Sequence, residues 1–179
     1  MSKEKFKNKF RISPARLVNW DYGSNAMYFI TICTKNRNHY FGTIEQVRNS
    51  VSLSPTEIGK ITHENWRKIP VHFPFIELDE YVVMPNHVHG ILCINKSDKP
   101  NWQPNRFGVQ SQNIPSIMRG FKASVKKYAT VNQIDFSWQA KYYDRVIRND
   151  LELRNIRQYI FNNPLKWADD RNNPENLYM

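Results

Sequence analysis

The sequence predicts an α+β fold, a ferredoxin-like antiparallel sheet with helices packed mainly on one face. Runs of β-branched and aromatic residues are interspersed with segments of helical periodicity, in the order strand, weak strand, helix, strand, strand, helix, strand, helix. The 179 residues suffice for one sizeable core, so we expect a single domain over 1–179. Three irregular parts are expected, namely a basic N-terminal arm at 1–20, a loop at 95–115 and a C-terminal tail at 167–179.

Five segments have the composition of strands. The run 27–34, Met-Tyr-Phe-Ile-Thr-Ile-Cys-Thr, is typical of a central strand, and 43–51 gives a weaker prediction. Segment 73–84 and the apolar run that follows Pro85-Asn86 are expected to pair, because this dipeptide marks a tight connection. The last strand is expected over 136–147.

The first helix is predicted from a capping signal. Ser54 is the expected N-cap, Pro55 occupies the first helical position and Glu57 closes a capping box. The helix should run to about residue 68 and stop at Pro70, because proline ends helices.

Two further helices are predicted downstream. One begins near Ser116. The other spans 151–162, is capped by Asn149 or Asp150, and ends at Pro164.

The charge of the chain points to a polyanionic partner. The sequence has 26 Lys and Arg against 16 Asp and Glu, a formal net charge of +10. No apolar run approaches the roughly 18 residues of a membrane span, so nucleic acid is favoured over a membrane. Two cysteines without a pairing pattern are typical of a reducing compartment. We therefore expect a cytoplasmic, nucleoid-associated protein with no membrane partner.

Basic side chains are candidates for nucleic-acid contacts. On the second helix, an apolar stripe is opposed by a basic one formed by Arg119, Lys122 and Lys126. Such a stripe is typical either of a solvated face or of a surface that follows phosphates. The other candidates are Arg16 in the arm and Lys35 and Arg37 in the loop after the first strand.

A His-Val-His sequence follows the Pro-Asn connection. Side chains alternate along a strand, so His87 and His89 point the same way, about 7 Å apart, and can converge on one metal ion. Two satisfied histidines on a half-buried face would give the same pattern. Zinc would need further nitrogen or sulfur ligands, which the spacing does not offer, so an oxygen third ligand and Mg²⁺ or Mn²⁺ are favoured.

The third helix carries Tyr159 and Asn163 four residues apart, which places one above the other at the edge of the apolar stripe. Taken alone, a tyrosine at that position is more typical of an amphipathic helix edge than of a nucleophile. Tyr142 and Tyr143, in the preceding strand, are rival candidates for a nucleophile.

Several segments together resemble a known family. They are Trp20-Asp21-Tyr22, 28–34, 78–90 including Met84-Pro85-Asn86-His87-Val88-His89-Gly90, 120–122, 143–148, and 156–160 running into Asn163-Pro164. Each match is weak, but they span most of the chain in family order. On these residues the chain resembles the HUH single-strand tyrosine transposases, and within them the REP-associated group.

The resemblance implies an activity and a set of roles. His87, His89 and Asn163 would bind the divalent metal, Mg²⁺ or Mn²⁺, and Tyr159 would attack a DNA phosphate to give a 5′-phosphotyrosine and a free 3′-hydroxyl. The implied function is cleavage and rejoining of single-stranded, hairpin-bearing DNA. Rejoining would need no nucleotide cofactor, because the phosphodiester energy is retained. The longer 95–115 loop and the basic arm depart from the family pattern and bear on target choice.

Two other functions remain open on the sequence. A domesticated protein of this fold would bind structured single-stranded DNA or RNA without cutting it. A small metal hydrolase acting on nucleotides would form no covalent adduct and would show little salt dependence. The sequence also leaves open whether the protein is a monomer or a homodimer.

Overall fold

The structure is a computed structural model that describes residues 5–6, 9–10, 17, 20–48, 50–96 and 111–169. The arm at 1–20, the loop at 95–115 and the tail at 167–179 lie largely outside this part of the chain. The strands are β1 (Lys5–Phe6), β2 (Lys9–Phe10), β3 (Ala26–Cys33), β4 (Gly42–Val47), β5 (Ser50–Pro55), β6 (Ile76–Met84), β7 (His87–Ile94) and β8 (Tyr143–Ile147). The helices are α1 (Glu57–Arg67), α2 (Ile69–His72), α3 (Ile114–Val131) and α4 (Asp150–Asn162).

The central sheet has four strands in the order β6-β7-β3-β8, and every neighbouring pair is antiparallel. Strands β6 and β7 form the expected hairpin around Pro85-Asn86. In the ladder between β3 and β7, Cys33 lies opposite His87 and Thr31 opposite His89. The predicted α+β fold with an antiparallel sheet is confirmed.

Each face of the sheet packs on a different apolar cluster. The larger cluster joins the sheet to α1 and α3, and it contains Ile30, Trp66 and Val125. The smaller cluster joins Phe29, Ile91 and Ile147 of the sheet to Ile160 of α4, with Leu153 and Ile156 packed against it. Helices α1 and α3 therefore cover one face, and α4 covers the other.

The first helix begins differently from the prediction. Thr56, not Ser54, is the N-cap of α1, and its hydroxyl accepts a hydrogen bond from the backbone N–H of Gly59 at 3.1 Å. Pro55 ends strand β5, because the segment from Gly42 pairs back on itself as a hairpin. Helix α1 ends at Arg67, and Pro70 lies in the first turn of the short helix α2 rather than beyond the helical region.

Two other element boundaries were predicted wrongly. The final strand covers only Tyr143–Ile147, because the preceding residues cross over α3 and contribute a single bridge between Thr34 and Trp138. Helix α3 begins at Ile114, two residues before the predicted start, because Asn113 caps it in a reciprocal capping box with Ser116. The third helix was predicted correctly, with Asn149 as its N-cap.

Two ion pairs attach α4 to the sheet. Near the start of the helix, Glu152 pairs with Arg145 of β8 at 2.6 Å. Further along, Arg157 donates two hydrogen bonds to the Asp79 carboxylate of β6, at 2.8 and 2.5 Å. Asp79 lies where the register between β6 and β7 shifts, between Leu78 and Tyr81. Such an irregularity re-aims side chains, so it allows an edge-strand carboxylate to meet the helix.

The ring of Trp66 packs so closely on Gly90 that this position has no room for a side chain. A Cβ atom at Gly90 would lie 2.3 Å from a ring carbon of this fully buried Trp. We expect Gly90→Ala to lower the free energy of unfolding by about 1–3 kcal/mol through overpacking. The matched control is Gly120→Ala in α3, where the nearest atom of Phe73 is 3.6 Å away. That variant should gain up to about 1 kcal/mol of helix propensity. Urea unfolding measures the change in the free energy of unfolding of each variant. Equal changes in the two variants would contradict this packing account.

The Asp79–Arg157 pair should contribute to stability in a pH-dependent way. The hydrogen bonds from Arg157 lower the pKa of Asp79, so the contribution is present above the unfolded-state pKa of about 3.9 and is lost as pH falls through the lower folded-state pKa. We expect Asp79→Asn to cost about 0.5–1 kcal/mol at pH 7 and less as the pH falls through the folded-state pKa of Asp79. Urea unfolding over a series of pH values tests this, and a loss that does not shrink as the pH falls would show a role other than charge.

Candidate active site

The two histidines of β7 lie together beneath α4. Both side chains are fully buried, and their ring centroids are 4.4 Å apart. They share the face on which Ile91 packs against Ile160, because every second residue of a strand points the same way. The two imidazoles therefore lie on one face of β7, as strand alternation predicted, and a shared metal ion stays a prediction.

His87 is held by its sequence neighbour. Its Nδ1 atom is 2.8 Å from the Oδ1 atom of Asn86, whose Nδ2 donates to the backbone carbonyl of Arg37 at 2.9 Å. The indole of Trp167 lies against the ring, with 6.0 Å between centroids, and also contacts His39. The imidazole is thus fixed by an amide on one side and covered by an aromatic ring.

His89 contacts the predicted nucleophile. Its Nδ1 is 2.8 Å from the hydroxyl of Thr31, and its ring stacks on Phe29 with 5.4 Å between centroids. Its Nε2 is 3.1 Å from the hydroxyl of Tyr159. Phe29 also meets the Tyr159 ring edge-on at 6.1 Å. One phenylalanine therefore orients both the imidazole and the phenol.

Tyr159 and Asn163 line one cleft of about 600 Å³. Tyr159 is 39% exposed, whereas Asn163 is only 2% exposed. Asn163 keeps helical backbone angles (φ −60°, ψ −42°) although Pro164 follows it, so its side chain stays one turn beyond the tyrosine. Of the residues that the resemblance implied, Tyr159 therefore meets His89 and shares a cleft with Asn163.

The rival tyrosines point in different directions. Tyr143 is 41% exposed and lines the same cleft as Tyr159, while Tyr142 packs against the larger core on the other face. This difference follows from the alternation of side chains at β8. Two cationic residues that the sequence reasoning missed, Arg145 and Lys166, also line the cleft. Arg145 is two residues from Tyr143, so the same alternation predicts its orientation.

The donor atoms that could hold a cation are two imidazoles and an amide. Within the residues that the structure describes, no group of three or more His, Cys, Asp or Glu side chains could hold a metal ion. A third protein ligand beside His87 and His89 would therefore be a group of another kind, and the buried amide of Asn163 lines the cleft next to Tyr159. Mg²⁺ or Mn²⁺ at these residues stays a prediction.

The basic residues of α3 have structural partners. Lys122 donates to the carbonyls of Gln139 at 2.5 Å and Ala140 at 3.2 Å, and Lys126 donates to that of Phe136 at 2.6 Å. Partial burial lowers the pKa of Lys122. These two lysines hold the segment before β8 against α3, and a role in nucleic-acid binding stays a prediction for them.

The other predicted nucleic-acid contacts lie elsewhere. Arg119 is exposed on α3. Lys35 and Arg37 lie on the turn after β3, beside a second cleft of about 530 Å³ that also includes Trp138. Arg16 lies outside the described residues. No helix among the residues described has the length and apolar character needed to cross a membrane.

Comparisons with known proteins place the chain among relatives. No protein-family model matches it. A Haemophilus influenzae protein named only as uncharacterized is 38% identical over 165 residues, which cover 87% of this chain and 89% of that protein. A second protein of the same organism, provisionally named a REP-associated tyrosine transposase, is 24% identical over 151 residues, or 82% of this chain and 74% of its own.

A solved structure shares the fold. It is a REP-associated tyrosine transposase bound to a REP hairpin, and it is 20% identical, with 88% of this chain and 75% of that chain covered and a TM-score of 0.57. The fold, the sequence match to the second relative and the ordered motifs agree with one another. In sequence and in fold the chain is similar to REP-associated tyrosine transposases.

Proposed function

We propose that this protein cuts and rejoins single-stranded, hairpin-bearing DNA through a covalent bond to Tyr159. The observation that carries the proposal is the 3.1 Å distance between the Tyr159 hydroxyl and Nε2 of His89, with Asn163 in the same cleft. A tyrosine that merely marked a helix edge would have no reason to meet a buried imidazole. The transposase-like assignment comes from the similarity to REP-associated tyrosine transposases, and the chemistry below is our proposal.

His87, His89 and Asn163 would hold Mg²⁺ or Mn²⁺. When bound, such a cation polarises the phosphate oxygens and offsets the charge that develops on them. The surrounding contacts keep the protein ligands in place, since both Nδ1 atoms are engaged by Asn86 and Thr31. Second partners of this kind orient metal-binding imidazoles in many sites.

Tyr159 would supply the nucleophile. A phenol with a pKa of about 10 is weakly nucleophilic when neutral, so it must be placed in line with the phosphorus and lose its proton as it attacks. A bond forms between the phenolic oxygen and phosphorus, and the bond from phosphorus to the 3′ oxygen breaks. The 3′ oxygen takes up a proton, which balances the one lost by the phenol. The reverse step rejoins the strand without a nucleotide cofactor.

The charge of the chain, +10 in total, supports a nucleic-acid substrate. Lys166 and Arg145 line the cleft with Tyr159, beside the carboxylate of Asp169 and with Arg145 paired to Glu152. Cations placed along a cleft attract phosphates and align the backbone of the substrate. The structural neighbour is bound to a REP hairpin, which supports a hairpin-bearing substrate here too.

Loss of the phenolic hydroxyl is the first test. We expect wild-type protein mixed with Mn²⁺ and labelled single-stranded hairpin DNA to form an adduct that survives denaturing electrophoresis. Tyr159→Phe should form none, while its DNA affinity stays close to wild type because only one oxygen is removed. Tyr143→Phe is the matched control, since Tyr143 lines the same cleft.

The variants separate the competing assignments. An adduct that persists in Tyr159→Phe and vanishes in Tyr143→Phe would move the nucleophile to β8. If Tyr159→Phe lost DNA affinity to the same degree as it lost the adduct, a purely chemical role for Tyr159 would be refuted. Tight binding by the wild type with no adduct would favour the non-cleaving binder of structured nucleic acid.

Removal of a histidine should act through the cation. We expect His87→Ala to lower the cleavage rate by about 100- to 1,000-fold, the range seen when one electrostatic group is removed from an active site. Cleavage rates over a titration of MnCl₂ test this, with His63→Ala as the control for an exposed histidine on α1. A His87→Ala enzyme with the metal dependence of the wild type would contradict the assignment.

A further inference from the structure

Asn86 occupies the turn between β6 and β7 and is fully buried. Its side chain lies between two groups that come from distant parts of the sequence. The Nδ2 atom donates to the carbonyl of Arg37 at 2.9 Å, and the Oδ1 atom lies 2.8 Å from Nδ1 of His87. The amide therefore connects the turn after β3 to a candidate metal ligand.

The partners determine the orientation of this amide. The backbone carbonyl of Arg37 can only accept a hydrogen bond, so the group facing it must be the NH₂ of Asn86. The oxygen of the amide then faces His87, and it too can only accept. Nδ1 of His87 must consequently carry a proton, and in the neutral ring the lone pair lies on Nε2.

We propose that Asn86 is a positioning residue that holds His87 in the Nδ1–H tautomer and so presents Nε2 to a divalent cation. The inference rests on the proposed metal site for its purpose, but the tautomer itself follows from the contacts of Asn86 with Arg37 and His87. A tautomer with the proton on Nε2 would offer no lone pair there. Asn86 thus acts on the metal through His87 and touches no reacting atom.

The acceptor for Asn86 is itself held in place. The N–H of Arg37 donates to the carbonyl of Thr34 at 3.3 Å, and the N–H of Thr34 donates to the carbonyl of Asn86 at 2.8 Å. Asn36 and Arg37 both adopt left-handed backbone angles, with φ of 54° and 56°. Non-glycine residues hold such angles only where surrounding contacts determine them, so the carbonyl of Arg37 is a fixed acceptor.

His89 shows what the amide adds. The Nδ1 of His89 faces the hydroxyl of Thr31 at 2.8 Å. A hydroxyl can donate or accept, so this contact is compatible with either tautomer. Asn86 therefore selects one tautomer of His87, whereas Thr31 does not select a tautomer of His89.

The test compares Asn86→Ala with Asn86→Asp in the full-length chain without DNA. Alanine removes the acceptor, whereas aspartate keeps an acceptor toward His87. Two-bond ¹H–¹⁵N spectra of the metal-free protein report the His87 tautomer, and calorimetric titration with MnCl₂ reports affinity. We expect the wild type and Asn86→Asp to show the Nδ1–H form. Asn86→Ala should populate the Nε2–H form and bind Mn²⁺ about 10- to 100-fold more weakly.

The matched control is Asn38→Ala, because the Nδ2 of Asn38 donates to the exposed Tyr40 hydroxyl in the same loop and should affect neither readout. Circular dichroism checks that each variant folds. If Asn86→Ala does not fold, the tautomer of His87 in Asn86→Asp and in the wild type provides the test. An Nε2–H tautomer in the wild type, or in Asn86→Asp, would overturn the proposal.

Unchanged Mn²⁺ affinity in Asn86→Ala would also overturn it, as would a wild-type protein that binds no Mn²⁺. The absence of a DNA adduct with Mn²⁺ binding intact would contradict the proposed function alone.

Discussion

The structure depends on one strand that is buried on both faces. Strand β7 places Val88 and Gly90 toward α1 and α3, where the ring of Trp66 lies over the glycine. The intervening residues, His87 and His89, face α4. Because the side-chain period of a strand is two, a slip of one residue would put the imidazoles into the apolar core. The packing of Trp66 on Gly90 thus sets the register that also places the candidate metal ligands.

Burial of two imidazoles demands partners, and these come from four separate parts of the chain. Thr31 on β3, Asn86 in the hairpin turn and Tyr159 on α4 each place a polar atom within 3.1 Å of a ring nitrogen, and Trp167 covers His87. Unsatisfied polar groups in such a place would cost about 1–3 kcal/mol each. The two ion pairs that attach α4 to the sheet therefore help to keep Tyr159 beside His89.

Local patterns predicted the parts of the site that lie on single elements. Strand alternation put both histidines on one face, and helical spacing put Asn163 one turn from Tyr159. Contacts between distant segments had no local signal. The hairpin that makes Pro55 a strand residue depends on pairing with β4, and the lysines of α3 meet carbonyls about 10 to 18 positions away. A basic stripe looks the same in a sequence whether its ammonium groups face phosphates or backbone carbonyls.

The hydrogen bonds around the two histidines differ in kind, and the difference follows from the chemistry of their partners. An amide oxygen only accepts, so His87 keeps its proton on Nδ1. The hydroxyls of Thr31 and Tyr159 can each donate or accept, so the proton of His89 can reside on either nitrogen as its two partners rotate. One imidazole is thereby fixed while the other responds to the state of the tyrosine beside it. In the proposed transfer of a phosphate to Tyr159, His87 would be the ligand of fixed orientation and His89 the ligand that adjusts to the tyrosine.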